Sequence, residues 1–191
     1  MLKVSRVLKK AGFLVLWHGG DLERPYADNM SQRKGRWEFA PGLYLTTNWE
    51  TARKYAKGGR KLYRITIRSG NDARTTTLPY EAVLAFVNQY VVKSKLRDVI
   101  ASIDKYKDNL KADTFINILI NRDALKSSYT GLLRKLLVDN GVDYEVVDNA
   151  FGWGERMVVL FNMGLIVKKE VIGPKTKIEE FDLPTEFKED L

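Results

Sequence analysis

Apolar and polar positions divide the chain into short β-like runs and longer helical stripes. Phe13-Leu14-Val15-Leu16-Trp17 is continuously apolar, as in a strand buried on both faces, and Gly42-Leu43-Tyr44-Leu45-Thr46 is a second short strand. Leu62-Tyr63-Arg64-Ile65-Thr66-Ile67-Arg68 alternates with period two, the pattern of a half-buried strand, and Ser69-Gly70-Asn71-Asp72 closes it with turn residues. Before it, Thr47-Asn48-Trp49-Glu50 has the form of a capping box. Trp49, Ala52, Arg53 and Ala56 follow at helical spacing, and Gly58-Gly59 suit a helix end. From Pro79 the period becomes helical. Ala82, Val83, Phe86, Val87 and Tyr90 mark one packing stripe, Leu96, Val99, Ile100 and Ile103 a second, and Phe115, Ile118 and Leu119 a third. A further helix is expected over 125–139, with Leu132, Leu133, Leu136 and Leu137, stopping at Asn140-Gly141. Strands are expected over 142–147, 157–161 and 166–171. Residues 2–10 read as a weakly amphipathic basic turn, and 19–41 as a long loop of the kind that is usually functional in a compact domain. Strands, then helices, then strands make the expected class α+β.

Length and composition narrow the setting. A chain of 191 residues, 45% hydrophobic and 29% charged, suits one soluble globular domain, expected over 1–175, with an acidic tail over 176–191. Lys3, Arg6, Lys9 and Lys10 precede the first apolar run and imitate an export signal. That run, however, is only about seven residues long and ends in Trp-His. No export signal and no membrane span are expected, and the localisation is expected to be cytoplasmic. There is no cysteine, which rules out a disulfide framework, thiol catalysis and Cys-ligated zinc. The single histidine leaves little for a transition metal, so no metal site is expected.

The net charge of +8 is uneven: residues 1–70 hold fifteen Lys/Arg against five Asp/Glu, whereas residues 171–191 hold three against six. The positive field therefore surrounds whatever the first third builds. It suits an anionic nucleotide, a nucleic acid or an acidic protein face, and equally a solvated basic surface.

The one histidine stands in Trp17-His18-Gly19-Gly20, at the end of an apolar run and before two glycines that allow another molecule to approach the backbone. Taken singly, His18 also fits a half-buried histidine before a turn. Tyr44 in the second strand and Glu155 at the opening of Met157-Val158-Val159-Leu160-Phe161 each have a similarly plain role.

Together, the order His, Tyr, Glu, one per strand, resembles the ADP-ribosyltransferases of the diphtheria-toxin and poly(ADP-ribose) polymerase type. His18-Gly19 is similar to that family's His-Gly element, and Gly42-Leu43-Tyr44-Leu45-Thr46 to its Gly-x-Tyr strand. Tyr55 lies eleven residues after Tyr44, as in members that hold nicotinamide between two aromatic rings. Asn140-Gly141-Val142-Asp143-Tyr144-Glu145-Val146-Val147 resembles the strand before the catalytic one. Gly154-Glu155-Arg156-Met157-Val158-Val159-Leu160-Phe161 resembles the strand bearing the catalytic glutamate. The resemblance covers roughly residues 13–68 and 125–168; Gly20 stands where the family often has Ser or Thr, and Trp153 where arginine-modifying members have a second carboxylate or amide.

What the resemblance implies is specific. The fold would be a split β-sheet with flanking helices and a helical insertion over about 79–124. The activity would be mono-ADP-ribosyl transfer from NAD, as co-substrate, to a macromolecular acceptor, in a toxin or phage-type effector. Glu155, His18 and Tyr44 would be the catalytic set, and His18, Gly19, Tyr44, Thr46 and Tyr55 would hold NAD. Arg24 or Arg36 would contact the pyrophosphate, and loop residues Trp37, Phe151 and Trp153 the acceptor. A protein acceptor is expected rather than nucleic acid. Two other readings stay open: an NAD glycohydrolase, with water as acceptor, and a basic nucleic-acid-binding module that has lost NAD.

Overall fold

The structure, a computed structural model, describes residues 12–20, 22, 40–58, 60–150 and 155–173. In chain order these form β1 (Phe13–Gly20), β2 (Leu43–Thr46), α1 (Trp49–Tyr55), β3 (Lys61–Arg68), α2 (Tyr80–Tyr90), α3 (Leu96–Ile103), α4 (Ala112–Asn121), α5 (Thr130–Asp139), β4 (Tyr144–Asp148), β5 (Arg156–Leu160) and β6 (Ile166–Ile172). The class is α+β. All six strands join one antiparallel sheet in the order β4-β5-β2-β1-β3-β6. The basic turn at 2–10, most of the 19–41 loop including Arg24, Arg36 and Trp37, the stretch 151–154 and the acidic tail lie outside the described residues.

Three local expectations are corrected. The first strand does not stop at Trp17 but runs to Gly20, because Gly19 and Gly20 stay in register with Leu62 and Lys61 of β3. The cap of α1 is not Thr47 but Asn48, whose side chain accepts from the Glu50 amide at 2.9 Å. Asparagine caps as well as threonine, and Thr47 is engaged elsewhere: its amide donates to the Arg156 carbonyl, and its hydroxyl oxygen accepts from the Arg156 amide, both at 3.0 Å. Thr47 thus prolongs the β2–β5 ladder. The helix expected from 125 begins at Thr130, after a tight turn at Ser127–Tyr129.

Alternation along the strands separates two apolar layers. Leu14 and Leu16 of β1, Leu43 and Leu45 of β2, Ile65 and Ile67 of β3, Val146 of β4 and Val158 and Leu160 of β5 form one cluster. The sheet curls around this cluster. The chain leaving β3 returns to the far edge, where Asp72 bridges Tyr144 in parallel and the Ala73 amide donates to the Tyr144 carbonyl at 2.8 Å. The opposite face carries Met157, Val159 and Phe161, packed with Val83, Phe86 and Val87 of α2, Val99 and Ile103 of α3, Phe115 and Leu119 of α4, and Leu133 and Leu137 of α5. The stripes read between 79 and 139 therefore join the sheet in one core, and α2, α3 and α4 are scaffold for the strands. Each buried aromatic or branched side chain contributes about 1.5–3 kcal/mol.

The β1–β2 junction is the weak seam of the sheet. Only Trp17 and Thr46 are in register there, whereas β1 pairs with β3 from Phe13–Arg68 to Gly20–Lys61. α1 lies over this seam, with Ala52 packed against Trp17 and Leu62. Its approach explains Gly19: a Cβ there would lie 1.8 Å from the Ala52 carbonyl oxygen and 3.0 Å from the Ala56 amide nitrogen. Gly19→Ala is expected to cost about 3 kcal/mol, since backbone rather than a flexible side chain must give way. Urea denaturation measures this; a loss below about 0.5 kcal/mol would show that α1 is not held so close.

Candidate active site at the β1–β2 seam

The short strand β2 lies between β1 and β5, and its alternate residues Tyr44 and Thr46 meet one functional group from each side. From β1, His18 Nδ1 lies 2.8 Å from the Tyr44 carbonyl oxygen. A carbonyl only accepts, so Nδ1 carries the proton and donates. Burial lowers the His18 pKa, opposed by this hydrogen bond to the backbone, so the ring is neutral near pH 7 and its Nε2 is an acceptor. The ring sits over the Cα of Gly20, where a Cβ would lie 2.5 Å from Nε2. The space that a serine or threonine side chain would take at position 20 is filled by the imidazole itself. The two glycines thus accommodate parts of this chain: helix α1 at Gly19 and the His18 ring at Gly20.

From β5, Glu155 sits just before the strand with 8% of its surface exposed, and both of its oxygens are engaged. The Thr46 hydroxyl donates to Oε1 at 2.5 Å and the Thr51 hydroxyl donates to Oε2 at 2.9 Å. The Asn48 amide donates in turn to Thr46 Oγ1 at 3.0 Å. Two donors use about half of the lone-pair positions of a carboxylate, so Glu155 is held in one orientation and can still accept from a bound hydroxyl. Behind it, Arg156 pairs with Asp148 at 2.8 Å, and Asp148 pairs with Arg74 at 2.9 Å, tying the ends of β4 and β5 together.

The aromatic residues are placed differently from one another. The ring of Tyr44 packs against the helical core cluster, and its hydroxyl donates to the Ala40 carbonyl at 2.8 Å. Tyr55 ends α1 with 52% of its surface exposed, one helical turn beyond Thr51 and on the same stripe. His18, Tyr44, Thr46 and Glu155 are thus linked through one segment of β2, and Gly19 and Tyr55 border it through α1. Phe151 and Trp153, proposed from sequence as acceptor contacts, lie outside the described residues.

No family model, curated protein or solved structure matches this chain. Side-chain geometry therefore carries the functional reading.

Sequence reading missed Thr51. Its one signal is its place a helical turn before Tyr55, and nothing in the residue type marks it as the donor to Glu155. Thr51→Ala is expected to lower any Glu155-dependent rate about tenfold, the worth of one hydrogen bond to a charged group, while Thr51→Ser keeps the donor and most of the rate. Turnover of both variants with NAD measures this; equal rates for Ala and Ser would remove the hydroxyl from the account.

Among the described residues no helix is long and apolar enough to cross a membrane, and no three acidic or histidine side chains cluster as a metal ion would need.

Proposed function

We propose that the protein is a mono-ADP-ribosyltransferase that takes ADP-ribose from NAD, with its site at the β1–β2 seam. The observation that carries the reading is the buried Glu155 carboxylate, fixed by Thr46 and Thr51 beside the strand whose backbone also fixes His18. This acceptor set fits the two riboses of NAD. Both are rich in hydroxyl donors, and the carboxylate and the neutral His18 Nε2 accept. The sheet itself supports the split-core reading, since its β1–β2 junction is reduced to one register pair.

The chemistry follows from charge. When the bond between nicotinamide and ribose breaks, its electron pair leaves with the nicotinamide nitrogen, neutralising the ring, and positive charge develops on the ribose, as in glycoside hydrolysis. Glu155 accepts a hydrogen bond from a ribose hydroxyl and sets its negative charge where that cation forms, an electrostatic term already oriented before the reaction. His18 accepts from the other ribose. Tyr55, exposed at the end of α1, offers a ring face to the cationic nicotinamide before cleavage. Tyr44 contributes through its backbone carbonyl, which holds His18, and through the part of its ring that the helical cluster leaves uncovered. The acceptor's nucleophile then bonds the ribose carbon and loses its proton to solvent.

Incubation with isotopically labelled NAD and a cell lysate tests the reading. Label on a macromolecule, lost in the Glu155→Ala protein, is the expected result. Free ADP-ribose alone would make the protein a glycohydrolase, and intact NAD would set the reading aside.

A further inference from the structure

We propose that the outer edge of β6 pairs antiparallel with the same edge of a second copy of this chain, giving a twofold dimer with one continuous sheet. The pairing is independent of the NAD reading.

β6 is the last strand in the sheet order, and among the described residues no strand pairs with its outer side. Such an edge presents a row of backbone donors and acceptors to which a further strand can add. The opposite edge of the sheet is not equivalent, because there the chain after β3 bridges Tyr144 through Asp72. Val167 and Val171 of β6 are 46% and 59% exposed, among the few large apolar side chains that the described surface leaves uncovered.

Any extended segment can satisfy open backbone groups, and it is the order of the residues that selects a second copy. Ile166-Val167-Lys168-Lys169-Glu170-Val171-Ile172 is nearly the same read in either direction, and its one departure, Lys168 exchanging with Glu170, sets opposite charges against each other. With Lys169 on the twofold axis, antiparallel pairing puts Val167 opposite the second copy's Val171 and Lys168 opposite its Glu170, and symmetry repeats both contacts. Apolar and opposite-charge pairs of this kind are what stabilise a ladder. Lys168 and Glu170 already share a face: Lys168 Nζ lies 2.8 Å from Glu170 Oε1, and Arg64 of β3 holds Oε2 at 3.1 Å. The twofold axis brings a second such set alongside the first, so charges of opposite sign meet across the junction. The opposing contact is Lys169, which faces its own copy on the axis. A bulge also limits the ladder, since the β3 register shifts between Thr66 and Ile67 and leaves 168–172 as the regular part of β6. A short ladder buries less than a standard interface, so the association is weak and shows at high protein concentration.

Sedimentation velocity of the full chain, up to about 0.5 mM, measures the association. The parent's average mass is expected to rise with concentration from monomer towards dimer and no further, because pairing of the two edges closes the assembly. Lys168→Glu sets a carboxylate opposite Glu170, and Glu170→Lys sets an ammonium opposite Lys168. Each variant alone should associate about tenfold or more weakly than the parent, as two attractive pairs become repulsive. Mixed in equal amounts, the two variants regain opposite charges at both contacts and should associate about as tightly as the parent. Lys169→Thr removes the like charges on the axis and should tighten the dimer about threefold or more. Circular dichroism checks that each variant is folded. Should Glu170→Lys fail to fold for want of the Arg64 pair, Lys168→Glu and Lys169→Thr, both at exposed positions, decide the matter. A parent and a Lys169→Thr protein that stay monomeric throughout, growth beyond the dimer, or folded charge variants that associate no better mixed than apart would overturn the proposal.

Discussion

Replacing Glu155 by glutamine is expected to slow nicotinamide release from NAD by about 10²-fold or more, a loss of roughly 3 kcal/mol of transition-state stabilisation. The substitution keeps the shape of the side chain and an acceptor for the Thr46 or Thr51 hydroxyl, and each hydroxyl oxygen can itself accept from the new amide. What disappears is the negative charge. The fold should therefore survive, with a melting temperature within about 5 °C of the parent, while the chemical step fails. Saturating-NAD initial rates, measured beside thermal melts, separate the two effects. A folded glutamine variant with an unchanged rate would mean that the carboxylate does not face the developing cation.

The second large effect concerns a carboxyl that the proposed chemistry does not use. Glu145 of β4 is 7% exposed, and among the described residues its Oε2 has no hydrogen-bond partner. Burial pushes its pKa up to about 8, helped by Asp113 and Asp72 and opposed by Arg74. At neutral pH the native state therefore holds a proton that the unfolded chain has lost. An acid with a raised native pKa makes stability fall as pH rises, here from the unfolded carboxyl's range to about 8. The full shift corresponds to an upper bound of roughly 5 kcal/mol, which local relaxation reduces. This is a large share of an ordinary folding free energy. His18 acts in a different window. Its lowered pKa costs stability only as pH falls below its ordinary value of 6.5. Glu145→Gln should abolish the loss between about pH 6 and 8.5 and leave the variant more stable than the parent at the upper end. Denaturant titrations at the two pH values check this; a parent whose stability does not change across that range would show that Glu145 is not held protonated.

The strands and helices were legible because their period is set by one-sided burial. β3 alternates, α3 carries its stripe over the span expected for it, and the run before Phe161 is apolar on both faces because helices cover one side of the sheet and the curled cluster the other. The boundaries that failed are those decided by partners distant in sequence. Gly19 and Gly20 read as loop, yet β3 keeps them in the ladder; Thr47 reads as a cap, yet Arg156 claims it. His18, Tyr44, Thr46 and Glu155 stand out in the sequence only through the family resemblance of their order, and the fold joins them through β2. The donors to Glu155 could not be paired with it, since Thr46 lies 109 residues away and Thr51 lies 104 residues away along the chain. Glu145 read only as part of a strand, because its perturbation comes from Asp113 and Asp72, which only the fold brings near.

The most direct test of the account is the quantity of free nicotinamide formed when the purified protein is incubated with NAD alone. Steady release is expected from the wild type, and release reduced by about 10²-fold or more from Glu155→Ala and His18→Ala proteins whose circular dichroism matches the parent. Release by the two folded variants at the parent rate, or none from the wild type, would contradict it.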